Sequence, residues 1–393
     1  MTSRHCHTIV VGLGAVGAAV VYQLASMGVD VIGIDRLSPP HVFGSTHGES
    51  RITRQAIGEG KAYTPLALRS NEIWGEMERL SGESLLTRNG ALIISKSGGT
   101  SSLHGKSDFL AQTIASAQEY SIAHEVLDAD DIRSRFPQFL VSDDDIAYYE
   151  PGSGFLRPER CVRVALNLAK GLGANIRIEQ QVLEIEDADH FAVVRMDDDS
   201  ISADHLIIAA GAWVSRFLSP GYRSLFKVYR QVQFWFETDS TADFDPAVCP
   251  VFIWDFGSGG GMYGFPMLDG SGSIKVAAEQ YDVTTLPDSL DKTVSEEEAS
   301  NMYRDRVDGR LAGVTDRLQR TDTCLYTVTS DSGFVIDKLP GSEHIIVASP
   351  CSGHGFKHSA AIGEALAQIC VSGKSVADIS SFSLDRFSVD SRL

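Results

Sequence analysis

Thr8-Ile-Val-Val-Gly12-Leu-Gly14-Ala-Val-Gly17-Ala-Ala-Val-Val-Tyr-Gln-Leu-Ala-Ser-Met-Gly28-Val-Asp-Val-Ile-Gly-Ile-Asp35 reads as an apolar strand, a tight glycine turn, a helix and a second strand closed by an acid. Gly12 permits the turn, Gly14 lets backbone approach a pyrophosphate at the helix N-terminus, and Gly17 brings helix and strand close together. A carboxylate at Asp35 stands where a ribose hydroxyl can donate to it. The spacing predicts a dinucleotide site. The same stretch carries no charge from Thr8 to Met27, yet its four glycines and the nearby Asp30 and Asp35 argue against a membrane span. No cleavable signal peptide is evident.

Around this unit, 393 residues with 43% hydrophobic and 22% charged side chains suffice for two domains with their own cores. A formal net charge of -18 disfavours nucleic acid and anionic membrane as partners. Cys6, Cys161, Cys249, Cys324, Cys351 and Cys370 show neither CxxC nor Cys/His metal spacing. No metal site and no disulfide framework are therefore expected, and a reducing, cytoplasmic setting is the default. The terminal Ser391-Arg392-Leu393 is close to a peroxisomal address and makes that compartment the alternative in a eukaryote.

Without repeats or a long linker, the domains are expected to interleave. Residues 63–80 carry a helical stripe of Leu66, Ile73, Trp74, Met77 and Leu80, and further helices are expected over Asp108–Tyr120 and Pro158–Leu172. Strands are predicted at Ala91–Ser95, at Ala174–Glu186, and at Asp204–Trp213, which ends in the glycine turn at Gly211. A late strand returning to the nucleotide domain suits a dinucleotide as large as FAD. Alternation over Phe226–Glu237, followed by strands near Val251–Asp255, Met262–Phe265 and Ser273–Ala277, reads as the antiparallel sheet of a second domain. The final third offers the strand Glu343–Ser349, a glycine-rich turn and a helix over about Ser359–Val371, whose N-terminus can face an electron-accepting ring.

The motifs Gly44-Ser-Thr-His47-Gly-Glu-Ser-Arg51-Ile-Thr-Arg54, Gly58-Glu-Gly, Tyr263-Gly-Phe-Pro266, Thr323-Cys324-Leu-Tyr326-Thr and Ser352-Gly-His-Gly-Phe-Lys357 occur in that order. With them the chain resembles the monomeric sarcosine oxidase and N-methyltryptophan oxidase family from about residue 8 to about residue 387. The resemblance implies an α/β fold of D-amino-acid-oxidase type, with a Rossmann-type FAD domain (1–88, 151–219 and 322–393) interleaved with a mixed-sheet substrate domain (89–150 and 220–321). It implies FAD joined through its 8α-methyl group to Cys324. The dinucleotide would be held by Gly12, Gly14, Gly17, Asp35 and Arg36, with Ser45, His47 and Arg51 beside the ring, Val182 and Gly211 along the cleft, and Gly353, Gly355, Phe356 and Lys357 in the late turn.

The resemblance further implies that Arg54 and Lys357 clamp a substrate carboxylate, bidentate geometry favouring Arg. Lys275 corresponds to the lysine credited with easing electron transfer to oxygen, and Tyr263 and Tyr326 to pocket residues. The implied reaction is oxidation of sarcosine or another N-methyl L-amino acid by a monomeric oxidase, with imine hydrolysis and hydrogen peroxide release. A fructosyl-amino-acid (Amadori product) or L-pipecolate-type oxidase is the alternative, and a flavin dehydrogenase with a non-oxygen acceptor is the alternative class. Three departures bear on the substrate. Glu279 stands where sarcosine oxidases tend to carry His, Cys351 replaces an apolar residue, and Thr329-Ser-Asp331-Ser-Gly-Phe334 differs from the family's usual segment.

Overall fold

The computed structural model describes residues 4–99, 108–197, 199–257, 260–268 and 270–387. The strand Arg4–Val11 lies between Ser200–Ile208 and Val31–Ile34, parallel to both, and Ile345–Ser349 pairs parallel with Ser200–Ile208. A strand buried on both faces reads as a near-continuous apolar run, and Ile345–Ser349, apolar up to its last residue, is buried along its whole length. Helices Ala15–Ser26, Thr64–Ser81, Pro158–Gly171 and Ser359–Ser372 share one apolar core with this sheet. Of the stripe predicted on the second of these, Leu66, Ile73, Trp74 and Met77 are buried, whereas Leu80 is 52% exposed. Leu80 falls in the last turn, just before the left-handed Gly82 ends the helix.

The single strand expected over Ala174–Glu186 is two strands at opposite edges of the sheet. Asn175–Arg177 pairs with Val31–Ile34, and Glu184–Asp187 pairs with Ala192–Arg195. Between them Glu179 takes a positive φ of 57°, and the amides of Glu179 and Gln180 donate to Leu37 O and Asp35 O. The chain leaves the sheet there to run along the nucleotide cleft. Alternation of side chains cannot register such a crossing, because it reports faces and not partners.

The second sheet has eight strands in the order Val314–Val328, Lys227–Thr238, Ser273–Ala277, Gly261–Met267, Val251–Asp255, Ala91–Lys96, Asp145–Glu150 and Glu125–Leu127. It is antiparallel except for the parallel pair Val251–Asp255 with Ala91–Lys96, so it is mixed. Phe234, Phe236, Ile274, Val276, Phe252 and Trp254 on one face are buried in their own apolar core. Alternation then presents Gln231, Gln233, Lys275, Tyr263, Cys324 and Tyr326 on the opposite face, towards the first domain. The domain boundary expected at 321/322 cuts through the strand Val314–Val328, which pairs along most of its length with Lys227–Thr238. Among the described residues no helix is long and apolar enough to cross a membrane, and no cluster of three or more His, Cys, Asp or Glu could hold a metal ion. The tripeptide 391–393 lies outside the described residues.

Candidate active site

A cavity of about 460 Å³ lies between the polar face of the second sheet and the carboxyl ends of the parallel strands. Ligands of open α/β sheets bind at such strand ends. Its nucleotide end is lined by Gly12, Gly14, Asp35, Arg36, Val182 and Gly211. Asp35 accepts from Leu13 N and Leu37 N, both at 2.8 Å, so the acid itself braces the glycine turn while facing the cavity. A Cβ on Gly12 would sit 2.5 Å from Ala209 O, and one on Gly17 would sit 1.7 Å from Gly12 O. Gly17 does not line the cavity; it lets the helix close onto the turn. Arg36 stacks on Trp213 at 4.1 Å and donates to Asp288, which also accepts from Trp213 Nε1, tying the residue after the acid to the second domain. Cleft, acid and glycine cradle fit a dinucleotide.

At the other end the wall holds Arg51, Arg54, Glu59, Tyr263, Tyr326 and Lys357. The late turn supplies Gly353, Gly355 and Phe356, and a Cβ on Gly355 would meet Pro350 O at 1.6 Å. Phe356 stacks on Trp74, which places that tryptophan in the core. Arg54 Nη2 donates to both oxygens of Glu59 at 2.9 and 3.0 Å, and Lys357 Nζ lies 3.4 Å from Glu59 Oε1. All three are nearly inaccessible to solvent. Glu59 has no place in the functional assignment made from sequence, where it is one letter of a glycine-flanked motif. Its buried position between two cations is what reveals it. Burial lowers the Lys357 ammonium to about 8, against the pull of Glu59. Two buried cations share the Glu59 carboxylate, and Glu279 also acts on Lys357.

The phenols of Tyr263 and Tyr326 meet at 3.4 Å. Burial pushes both well above the ordinary tyrosine range, so both stay neutral donors. Glu279 also lines the cavity, accepting from Tyr281 Oη at 2.8 Å. The turn that aims this pair is locked by Gln231, whose side chain donates to Gln280 O at 2.7 Å and accepts from Gln280 N at 3.0 Å. Cys351 lines the cavity half-buried, its sulfur accepting from Thr327 N. The altered segment 329–334 does not line it. There Asp331 grips Arg386, and Phe334 packs between Tyr63 and His354.

Three expected site residues stand behind this wall. Lys275 is buried and donates to Gly48 O at 2.7 Å and Ser50 O at 2.8 Å, with its ammonium 4.0 Å above the Phe265 ring. It holds from behind the loop whose Ser45, Ser50 and Arg51 face the cavity. Burial and the neighbouring Arg51 drive its proton affinity well below that of an ordinary lysine. His47 pairs with Asp322 at 3.2 Å, and its Nε2 has no hydrogen-bond partner among the described residues. Cys324 is 1% exposed, on the same strand face as Tyr326 two residues on.

The family model of FAD dependent oxidoreductases matches residues 7–369. The chain belongs to that family. Among FAD dependent oxidoreductases it is 36% identical over 387 residues to the monomeric sarcosine oxidase of Bacillus sp. (strain B-0618), covering 98% of this chain and 97% of that relative. It is 33% identical over 388 residues to the N-methyl-L-tryptophan oxidase of Yersinia pestis (strain Pestoides F), covering 96% and 98%. A variant of NikD, an unusual amino acid oxidase essential for nikkomycin biosynthesis, superposes with a TM-score of 0.82 at 21% identity over 97% of each chain, which shows the shared fold. FAD is thus the dinucleotide for which the cleft is built, and the protein is an oxidoreductase.

Proposed function

We propose that this FAD dependent oxidoreductase oxidises secondary amines of the N-alkyl L-amino acid class, with oxygen as the electron acceptor. The observation that carries the reading is the pair of buried cations, Arg54 and Lys357, set around Glu59 in the cavity wall. A substrate carboxylate bound there leaves the amine beside Tyr263 and Tyr326, in a mostly apolar space that accepts a neutral nitrogen. FAD supplies the acceptor for a hydride from the carbon beside nitrogen and hands the electrons to oxygen, releasing hydrogen peroxide; water then hydrolyses the imine. Lys275, whose protonated form is held behind the loop by the carbonyls of Gly48 and Ser50 against the pull of burial, sets a positive potential for that second step. Cys324, on the strand face that carries Tyr326, is the residue to which the flavin is joined; burial raises its thiol, and the nearby Arg51 and Lys275 cations act against that rise in favour of the thiolate.

Sarcosine or a larger N-methyl L-amino acid is the first choice of substrate, in keeping with the names of the sequence relatives. A second reading rests on Glu279 and Tyr281. A carboxylate in the wall favours a substrate with hydroxyls or a second cationic group, as in a fructosyl amino acid, and disfavours sarcosine. Anaerobic bleaching by sarcosine, N-methyl-L-tryptophan, a fructosyl amino acid and L-pipecolate, paired with peroxide release in air, ranks these classes. Bleaching by none of them overturns the secondary-amine reading, and slow reoxidation in air favours a dehydrogenase. Yellow colour that stays with acid-precipitated protein supports the covalent link, and colour released to the supernatant refutes it.

A further inference from the structure

Cys324 has a partner that the motifs did not single out. Gln233 lies on the neighbouring strand, Lys227–Thr238, opposite Asp322 and diagonal to Cys324, and its Nε2 donates to Cys324 Sγ at 3.5 Å. Both side chains are buried, at 2% and 1% exposure. The approach is made possible from the loop side. Gly48 has φ of 96°, and a Cβ there would lie 2.2 Å from Gln233 Oε1, so only a bare backbone leaves room for the amide. The carbonyl of the same Gly48 receives the Lys275 ammonium. Lys275, Gly48, Gln233 and Cys324 therefore form one connected unit behind the cavity wall, in which the glutamine aims a donor at sulfur.

We propose that Gln233 is the positioning residue for flavin attachment, holding the Cys324 sulfur in place and stabilising it as the thiolate that bonds to the flavin. The inference rests on the covalent link proposed above. In that step sulfur bonds to the carbon of the flavin 8α-methyl group; the methyl loses one C–H bond and the thiol gives up its proton. The electron pair of the C–H bond passes to the flavin, and dioxygen, the acceptor of the enzyme's own reaction, carries off two electrons and two protons as hydrogen peroxide. The thiolate is the reactive form of cysteine. An amide donor in a dry interior favours it over the thiol, because a hydrogen bond to a charged acceptor is stronger than one to a neutral group.

Burial works against the thiolate and raises the Cys324 thiol, while Arg51, Gln233 and Lys275 pull it down. The other titratable groups facing it are Cys351, which raises it, and the neutral phenols of Tyr263 and Tyr326. The His47–Asp322 pair stands one step along the strand. Among the described residues none of these donates a hydrogen bond to the sulfur, so removal of Gln233 takes away the donor at 3.5 Å.

The test is to mix flavin-free full-length protein with FAD in air and follow the fraction of flavin that stays with the polypeptide after acid, from pH 6 to pH 9. Gln233→Leu is expected to bind FAD but attach it about tenfold more slowly at pH 7, with the rate profile moved about one pH unit upward. Gln233→Met, which keeps the length and removes the donor without adding a charge, shifts the profile the same way and carries the test should the leucine variant fold poorly. A purely structural role would lower the amount of folded protein without moving the profile. Parental rate and parental profile in both variants overturn the inference while the covalent link stands. Flavin that washes out of the parent protein in acid overturns the link itself, and the inference with it.

Discussion

Arg54 and Glu59 form a buried ion pair in the cavity wall, with one guanidinium nitrogen 2.9 and 3.0 Å from the two carboxylate oxygens. The pair keeps Arg54 soluble in the interior and at the same time competes with a substrate carboxylate for it. Glu59→Gln removes the anion that two buried cations share, and breaking a buried pair costs about 3 kcal/mol or more. Thermal unfolding is expected to show the loss, and an added small carboxylate such as acetate should restore more stability to the variant than to the parent. Equal response of the two proteins to acetate would show that no carboxylate enters this site.

Lys357 makes carboxylate binding depend on pH. Its free-enzyme value of about 8 reflects burial, and only the protonated form attracts an acid. Binding is therefore fully present below pH 8 and is lost as pH rises through it, so KM should climb by up to about tenfold per unit above that point. Lys357→Met should have a high KM with that alkaline rise removed. Steady-state kinetics from pH 6 to pH 10 measure both.

Lys275 touches the cavity loop from behind, so its charge matters more than its contacts with any substrate. Lys275→Met is expected to leave anaerobic flavin reduction almost intact and to slow reoxidation by oxygen about 10²-fold. Stopped-flow measurement of the two half-reactions separates them; equal slowing of both would assign Lys275 to holding the loop and not to oxygen chemistry.

Glu279 and Tyr281 decide between the two substrate readings. If the wall carboxylate serves a polyhydroxylated or cationic side group, Glu279→Gln should lower kcat/KM for such amines about tenfold and leave sarcosine unchanged or improved. A uniform change across the panel would confine Glu279 to bracing the turn through Tyr281.

Two glycines separate steric from conformational need. Gly355→Ala drives a Cβ into Pro350 O and is expected to cost at least about 2 kcal/mol and to lose FAD. Gly28→Ala meets nothing within 4 Å among the described residues and bears only the strain of its φ of 74°, about 1 kcal/mol. Melting temperatures and the flavin content of purified protein check both.

Much of this was legible in residue order, because the signals are local. The glycine turn and Asp35 lie within one strand-helix-strand unit, whose hydrogen bonds and dipole follow from spacing alone. The helices over 64–81, 109–119 and 158–171 announce themselves through periodic apolar faces. The alternation over Phe226–Glu237 marked the strand Lys227–Thr238, though not which of its faces meets the cavity. Motif order supplied the family, and with it Arg54, Lys357 and the two tyrosines that meet in the wall.

Tertiary structure alone decided the rest, since those facts are relations between residues far apart in the chain. Glu59 becomes part of the site only when the late turn, almost three hundred positions away, brings Lys357 to it. Gln233 is an ordinary strand polar residue until register sets it against Cys324, and Gly48 is a spacer until its missing side chain proves to be the room Gln233 occupies. The crossing between residues 177 and 184 is likewise invisible to alternation. Periodicity encodes which face a side chain takes; which groups then share a buried charge or a hydrogen bond is set by how the two sheets face each other, because burial makes such pairing obligatory.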